Sequence, residues 1–204
     1  MSDRKLRLGV LISGSGTNLQ AIMDACSAGS LAAEVVVVIS NKEAAYGLER
    51  ARKAHIDAVF VDRTAYTTMA EYNLTIRDVL KAHEVDYVVM AGYMRLLGRE
   101  VLAEYPMRVL NIHPALLPSF PGASGLHDAW EYGVKVTGVT VHFADERFDA
   151  GPVIAQEAVE IREDDTIESV EARIHEAEYR LYPRALQWLA EGRVSVEGRR
   201  VRIS

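Results

Sequence analysis

Asn111 and His113, in the segment Asn111-Ile112-His113-Pro114-Ala115-Leu116-Leu117-Pro118, are the first candidates for chemistry. On a strand, alternation sends both side chains to one face, and Pro114 biases His113 toward an extended backbone. An amide donates a neutral hydrogen bond to an oxygen that gains charge, and an imidazole gives or takes a proton near neutral pH. The bland alternative is an Asn turn beside a satisfied strand-end His. Asp149, in Phe148-Asp149-Ala150-Gly151-Pro152, sits where a carboxylate ordinarily does turn chemistry. If its loop folds over His113, the carboxylate favours the charged imidazole and makes it a proton donor. His142, in Thr140-Val141-His142-Phe143, is expected to border the same crevice. His113, His142 and Asp149 also form a rival metal set of two imidazoles and a carboxylate. No His-x-His or His-Glu-x-x-His spacing supports that set, so no metal is expected.

Gly14-Ser15-Gly16-Thr17-Asn18-Leu19-Gln20 offers a different chemistry. A glycine turn at a helix start presents backbone N–H groups and partial positive charge, which together suit a phosphate. A P-loop needs Gly-Lys-Ser/Thr here, and a dinucleotide fingerprint needs a third glycine where Leu19 stands. Both are absent. A single phosphate monoester held by the N–H groups, Thr17 and Asn18 fits better. The bland alternative is a Gly turn with Thr17 or Asn18 as helix N-cap.

These residues need a scaffold. Residues 8–12, 35–39, 58–61, 87–91 and 109–112 are short apolar runs that read as strands buried on both faces. Between them, 18–28, 47–55, 69–83 and 99–105 carry helical spacing. The alternation predicts an α/β fold: a doubly wound, mostly parallel sheet with flanking helices and its crevice at the carboxyl ends of the strands. Farther on, 127–132 reads as a turn of helix, 136–143 and 153–161 as strands, and 167–191 as a long helix entered through Glu163-Asp164-Asp165 and Thr166. Residues 195–204 read as a basic surface hairpin around Glu197-Gly198. His55, His83 and His127 read as surface helix-end residues. No repeat or linker interrupts the chain, so 1–204 is expected to be one domain.

The composition agrees. With 204 residues, 49% of them hydrophobic, the chain is long enough to bury a sizeable core. Its formal net charge of −6 gives no reason to approach nucleic acid or an acidic membrane. The single cysteine, Cys26, falls in a helical apolar pattern and reads as a buried structural thiol, which suits a reducing cytoplasm. No run reaches a membrane span, and the apolar stretch after Met1-Ser2-Asp3-Arg4-Lys5 is too short for a secretory leader.

Several motifs in order give the chain a specific resemblance. They are Leu11-Ile12-Ser13 running into Gly14 to Gln20, Ile39-Ser40-Asn41-Lys42, Ala91-Gly92-Tyr93-Met94-Arg95-Leu96-Leu97, Asn111 to Pro118, and Asp149-Ala150-Gly151-Pro152. Across nearly its whole length the sequence resembles the phosphoribosylglycinamide formyltransferase family, folate-dependent enzymes of the purine pathway with a Rossmann-like fold. The resemblance implies a catalytic trio of Asn111, His113 and Asp149. It implies that Gly16, Thr17, Asn18, His175 and Glu178 hold glycinamide ribonucleotide. It implies that Met94, Arg95, Leu96, Leu97, Asn111, Asp145 and Asp149 meet 10-formyltetrahydrofolate, the formyl donor, with no metal. Small-molecule partners, and a monomer or homodimer, follow from it. Two positions depart from the family pattern: Met69 stands where a basic residue is common, and Ala123-Ser124-Gly125 follows Pro121-Gly122 where a histidine is common. Methionyl-tRNA formyltransferase shares the Asn-x-His and aspartate logic but implies an added C-terminal tRNA-binding domain, and formyltetrahydrofolate deformylase implies an N-terminal regulatory domain. A non-catalytic nucleotide-binding module leaves the trio idle.

Overall fold

Apolar β-branched segments buried on both faces need helices above and below them. The computed structural model, which describes residues 4–204, supplies both layers. Met1, Ser2 and Asp3, where the segment read as too short for a leader begins, lie outside the described residues. The chain runs β1 (Leu6–Ile12), α1 (Thr17–Ser27), β2 (Ala33–Ser40), α2 (Tyr46–Lys53), β3 (Asp57–Phe60), α3 (Met69–Ala82), β4 (Tyr87–Met90), α4 (Arg99–Leu102) and β5 (Val109–His113). It continues through α5 (Gly125–Tyr132), β6 (Val136–Phe143), β7 (Val153–Glu160), α6 (Ile167–Ala190), β8 (Val194–Glu197) and β9 (Arg200–Ile203). Seven strands form one sheet in the order β3-β2-β1-β4-β5-β6-β7, parallel from β3 to β5 and antiparallel for β6 and β7. Strands β8 and β9 pair only with each other, as the expected hairpin.

The faces of β1 divide by alternation. Leu8, Val10 and Ile12 join one buried cluster with residues of α1, α2 and α6, while Leu11 joins another with Tyr72, Ile76 and Leu80 of α3. From β1 the chain moves outward to β2 and β3, then returns to place β4 on the other side of β1. That reversal opens a crevice at the carboxyl ends of β1 and β4, between the loops that follow them. Long helix α6 starts at a capping box between Thr166 and Ser169. It closes the crevice from one side, where the buried Tyr182 hydroxyl donates to the Met90 carbonyl at 3.1 Å and the Leu110 carbonyl at 3.2 Å. The carboxyl end of β4 and the start of β5 are thereby tied to α6.

Two expectations are corrected. Helix α4 ends at Leu102, although Tyr105 still donates to the Val101 carbonyl; Pro106 disfavours helical geometry just before it and the end loosens. Cys26 is half-buried rather than enclosed, and burial pushes its thiol up to about 11. It is a poor nucleophile at neutral pH. No helix among the described residues is long and apolar enough to cross a membrane.

Candidate active site

Strand β5 delivers Asn111 and His113 to the carboxyl edge, and antiparallel β6 sets His142 opposite Asn111 and Thr140 opposite His113. Thr140 fixes the chain that leaves β5: its buried hydroxyl donates to the Ala115 carbonyl at 2.7 Å and accepts the Leu117 N–H at 3.1 Å. The loop after β6 then folds back over the pair, as the sequence reading required. Asp149 adopts a left-handed φ of 51°, a region that Asp tolerates better than most residues. The next turn is tight, since a Cβ on Gly151 would lie 1.7 Å from the Phe143 carbonyl oxygen.

Asp149 is the hub. Its Oδ2 lies 3.5 Å from His113 Nδ1 and accepts the Gly122 N–H at 2.8 Å. Its Oδ1 lies 3.5 Å from His142 Nε2 and accepts the Asn111 amide at 3.3 Å. The side chains of Asp149, His113 and His142 are 7%, 4% and 2% exposed, so bulk water screens these contacts little. Burial pushes the Asp149 carboxyl up, but hydrogen bonding from His142 and Gly122 and the charges of His113 and His142 outweigh it. The carboxyl is held below its ordinary value and is a carboxylate at neutral pH.

Proton positions follow from the remaining partners. His113 Nε2 donates to the Phe120 carbonyl at 2.7 Å, so both ring nitrogens face acceptors and a doubly protonated ring satisfies both. His142 Nδ1 donates to the Phe143 carbonyl at 2.9 Å. A neutral His142 then accepts the Asn111 amide at Nε2, 3.2 Å away, and a charged one donates to Asp149 instead. Among the described residues, no group of three or more His, Cys, Asp and Glu is arranged to hold a metal ion.

Two adjoining cavities meet beside this cluster and share Gly92, Met94, Ile112, Pro114 and Ala123 as walls. One, of about 360 Å³, is lined by the trio with Met94, Arg95, Leu96, Leu97, Asp145 and Phe148. Met94 and Phe148 are 67% and 61% exposed, which gives an apolar face for a flat ring. Arg95 Nε is buried there without a hydrogen-bond partner. Met69, outside that cavity, has a cation beside it after all: Arg63 Nε lies 2.8 Å from its sulfur.

The other cavity, of about 440 Å³, is lined by Gly14 to Asn18 and by His175 and Glu178 of α6. Gly16 is the α1 N-cap at φ 71°, with no side-chain capping bond, so neither Thr17 nor Asn18 serves as the cap that the bland reading required. Buried Asn18 turns instead to α6. Its Nδ2 donates to Glu178 Oε2 at 3.0 Å, and its Oδ1 is buried without a partner. His175 Nδ1 donates to the same carboxylate oxygen at 2.9 Å, and this bond, against partial burial, holds the imidazole above its ordinary value.

Sequence reasoning missed several parts of the site. Gly122 N–H and Phe120 carbonyl are backbone groups, invisible to side-chain pattern. Gly47 was hidden in a helical run, yet a Cβ on Gly16 would stand 2.7 Å from Gly47 Cα. Arg50 braces the loop by donating to the Ser15 carbonyl at 2.8 Å. Ser13 links three strand ends, donating to Asn41 Oδ1 at 2.6 Å and accepting the Met94 N–H at 2.9 Å. Lys42 and His127, the latter read as a helix-end surface residue, both line the Gly-loop cavity.

Residues 6–186 match the formyl transferase family. The chain is 42% identical over 191 residues to the phosphoribosylglycinamide formyltransferase of Haemophilus influenzae, covering 94% of this chain and 90% of that one. It is 42% identical over 196 residues to the trifunctional purine biosynthetic protein adenosine-3 of Gallus gallus, covering 96% of this chain but 20% of that protein. The crystal structure of glycinamide ribonucleotide transformylase 1 from Symbiobacterium toebii superimposes with a TM-score of 0.96 at 50% identity, covering 99% of this chain and 95% of that one.

Proposed function

The chain belongs to the formyl transferase family, and on that premise we propose that it moves the formyl group of 10-formyltetrahydrofolate to the amine of glycinamide ribonucleotide, a step of purine biosynthesis. The observation that carries the reading is the placing of Asn111, His113 and Asp149 where a ring-binding cavity and a glycine-loop cavity meet. In the reaction a bond forms between the substrate amine and the formyl carbon, the bond from that carbon to N10 breaks, and the proton lost by the amine passes to N10. Asn111 donates an amide N–H, turned from His142, to the formyl oxygen as it gains charge, and the positive ring of protonated His113 stabilises that charge electrostatically, a kind of stabilisation worth roughly 2.7–4 kcal/mol when lost from a comparable site. Asp149 holds the imidazolium and orders the water that relays the proton. No covalent enzyme intermediate is needed.

Binding follows the two cavities. Gly16 and Thr17 at the α1 N-terminus take the phosphate, and Asn18, His175 and Glu178 take the rest of the nucleotide. Met94 to Leu97, Asp145 and Asp149 meet the reduced folate, with the unpartnered Arg95 nitrogen suited to its carboxylate tail. Every one of these groups comes from one chain, so a monomer or a homodimer carries the same site. We read 1–204 as one formyltransferase domain working in the cytoplasm.

The direct test mixes purified protein with both substrates and follows release of deformylated folate; release that requires the nucleotide supports transfer, and equal release without it supports hydrolysis. Asn18→Ala is expected to raise the KM for the nucleotide much more than that for the folate. Equal effects on both would assign the glycine loop to structure alone.

A pH dependence also follows. The His175 value is raised above 6.5 by its bond to Glu178, so the charged ring's contribution is complete below 6.5 and is lost as pH rises through the higher folded value. Across that window the KM for the nucleotide is expected to climb, and His175→Gln to flatten the climb. A parallel climb in the variant would remove His175 from nucleotide binding.

A further inference from the structure

The hairpin of β8 and β9 stands apart from the main sheet, yet it touches the loop that carries Asp149. Val194, Val201 and Ile203 pack against the larger core cluster and anchor the hairpin by its apolar side. Its turn passes through Gly198 at φ 60° and presents Arg199. The Arg199 guanidinium donates from Nη1 to the Ala150 carbonyl at 2.9 Å, a link between residues 49 apart in sequence. Among the described residues this is the one hydrogen bond or ion pair that the Arg199 side chain makes. Ala150 lies between Asp149, in the left-handed region, and Gly151, whose α-carbon is pressed against the Phe143 carbonyl. The turn is therefore held from within by the Asp149 bond to the Gly122 N–H, and from without by Arg199.

We propose that Arg199 is a positioning residue for formyl transfer: from the hairpin turn it clasps the Ala150 carbonyl and so keeps the Asp149 carboxylate against His113. The proposal rests on the functional reading above and adds to it a part of the chain that the site residues do not include. A left-handed Asp and a glycine tightly packed behind it make a turn with a specific shape, and one external bond to its central carbonyl limits its opening. The cation has a second use, since a charge-assisted bond to a carbonyl is stronger than a neutral one. Lysine supplies the charge but not the planar fork, so Arg199→Lys should retain only part of the hold.

The test compares the full chain with Arg199→Ala, Arg199→Lys and, as a control on the same hairpin, Arg200→Ala. Arg199→Ala is expected to lower kcat about 3- to 10-fold, the range of one such bond at an exposed position, with both KM values within about twofold and Tm lowered by no more than about 5 °C. Amide exchange is expected to quicken in the peptide covering residues 144–152, Arg199→Lys to recover part of kcat, and Arg200→Ala to match the unaltered chain. An unchanged kcat in Arg199→Ala, an equal loss in Arg200→Ala, or a loss that tracks a fall in Tm with no faster exchange at 144–152 would overturn the proposal. If the unaltered chain transfers no formyl group, the functional reading fails. The exchange arm then decides the clasp itself: quickening confined to that loop supports it, and unchanged exchange overturns it.

Discussion

Asp149→Asn is expected to lower kcat by about 10²–10³-fold, roughly 2.7–4 kcal/mol of transition-state stabilisation, while the KM for the nucleotide changes little. The substitution preserves shape and removes charge. In the native protein the carboxylate faces two imidazoles at 3.5 Å each and accepts N–H groups from Gly122 and Asn111, with 7% of its side chain exposed. An amide there presents an NH₂ group to neighbours that are themselves donors, and at least one buried contact turns repulsive. His113 keeps its bond to the Phe120 carbonyl, but its second nitrogen no longer faces a carboxylate. Because the carboxyl is held below its usual range, the native group is ionised throughout neutral pH and the loss should show there in full. Steady-state kinetics with both substrates varied reads it; turnover near that of the unaltered chain would take Asp149 out of the mechanism.

Gly16→Ala is expected to cost roughly 2–4 kcal/mol of stability, from a left-handed backbone penalty together with an overpacking cost. At φ 71° an alanine is strained whatever the space, and its Cβ would lie 2.7 Å from Gly47 Cα, a backbone atom that cannot swing aside. For a chain of this length that corresponds to a fall in Tm of roughly 5–15 °C. Relief of the clash would also move the Gly16 and Thr17 N–H groups, so the KM for the nucleotide should rise. Gly14→Ala is the matched control, since a Cβ there meets nothing within 4 Å. Thermal unfolding of both variants separates the cases, and equal Tm values would show that the glycine loop and α2 do not meet as described.

What could be read from the residues, and what could not, divides along a physical line. The parallel strands, the shared face of Asn111 and His113, and the glycine turn at the head of α1 follow from periodicity and local chemistry. The fold-back of Asp149 was legible only as a condition, because loop closure depends on antiparallel β6, on a close approach to Phe143 and on a partner at Gly122, 27 residues away. His142 was seen at the crevice. Its register opposite Asn111 fixes it as a neighbour of that amide, and only pairing between strands sets register. Contacts such as Gly16 with Gly47, or Arg199 with Ala150, leave no mark in either segment alone. Asn18 shows the same limit: its type suggested a cap, and its place beside buried Glu178 gives it another use.

The most direct measurement follows the formyl carbon itself. With a ¹³C-labelled formyl group on the reduced folate and the nucleotide supplied in excess, the label is expected to appear as a formamide on the nucleotide's amine, with one tetrahydrofolate released per nucleotide formylated and none of the label in formate. Label collecting in formate at the same rate whether or not the nucleotide is present would contradict transfer between the two cavities.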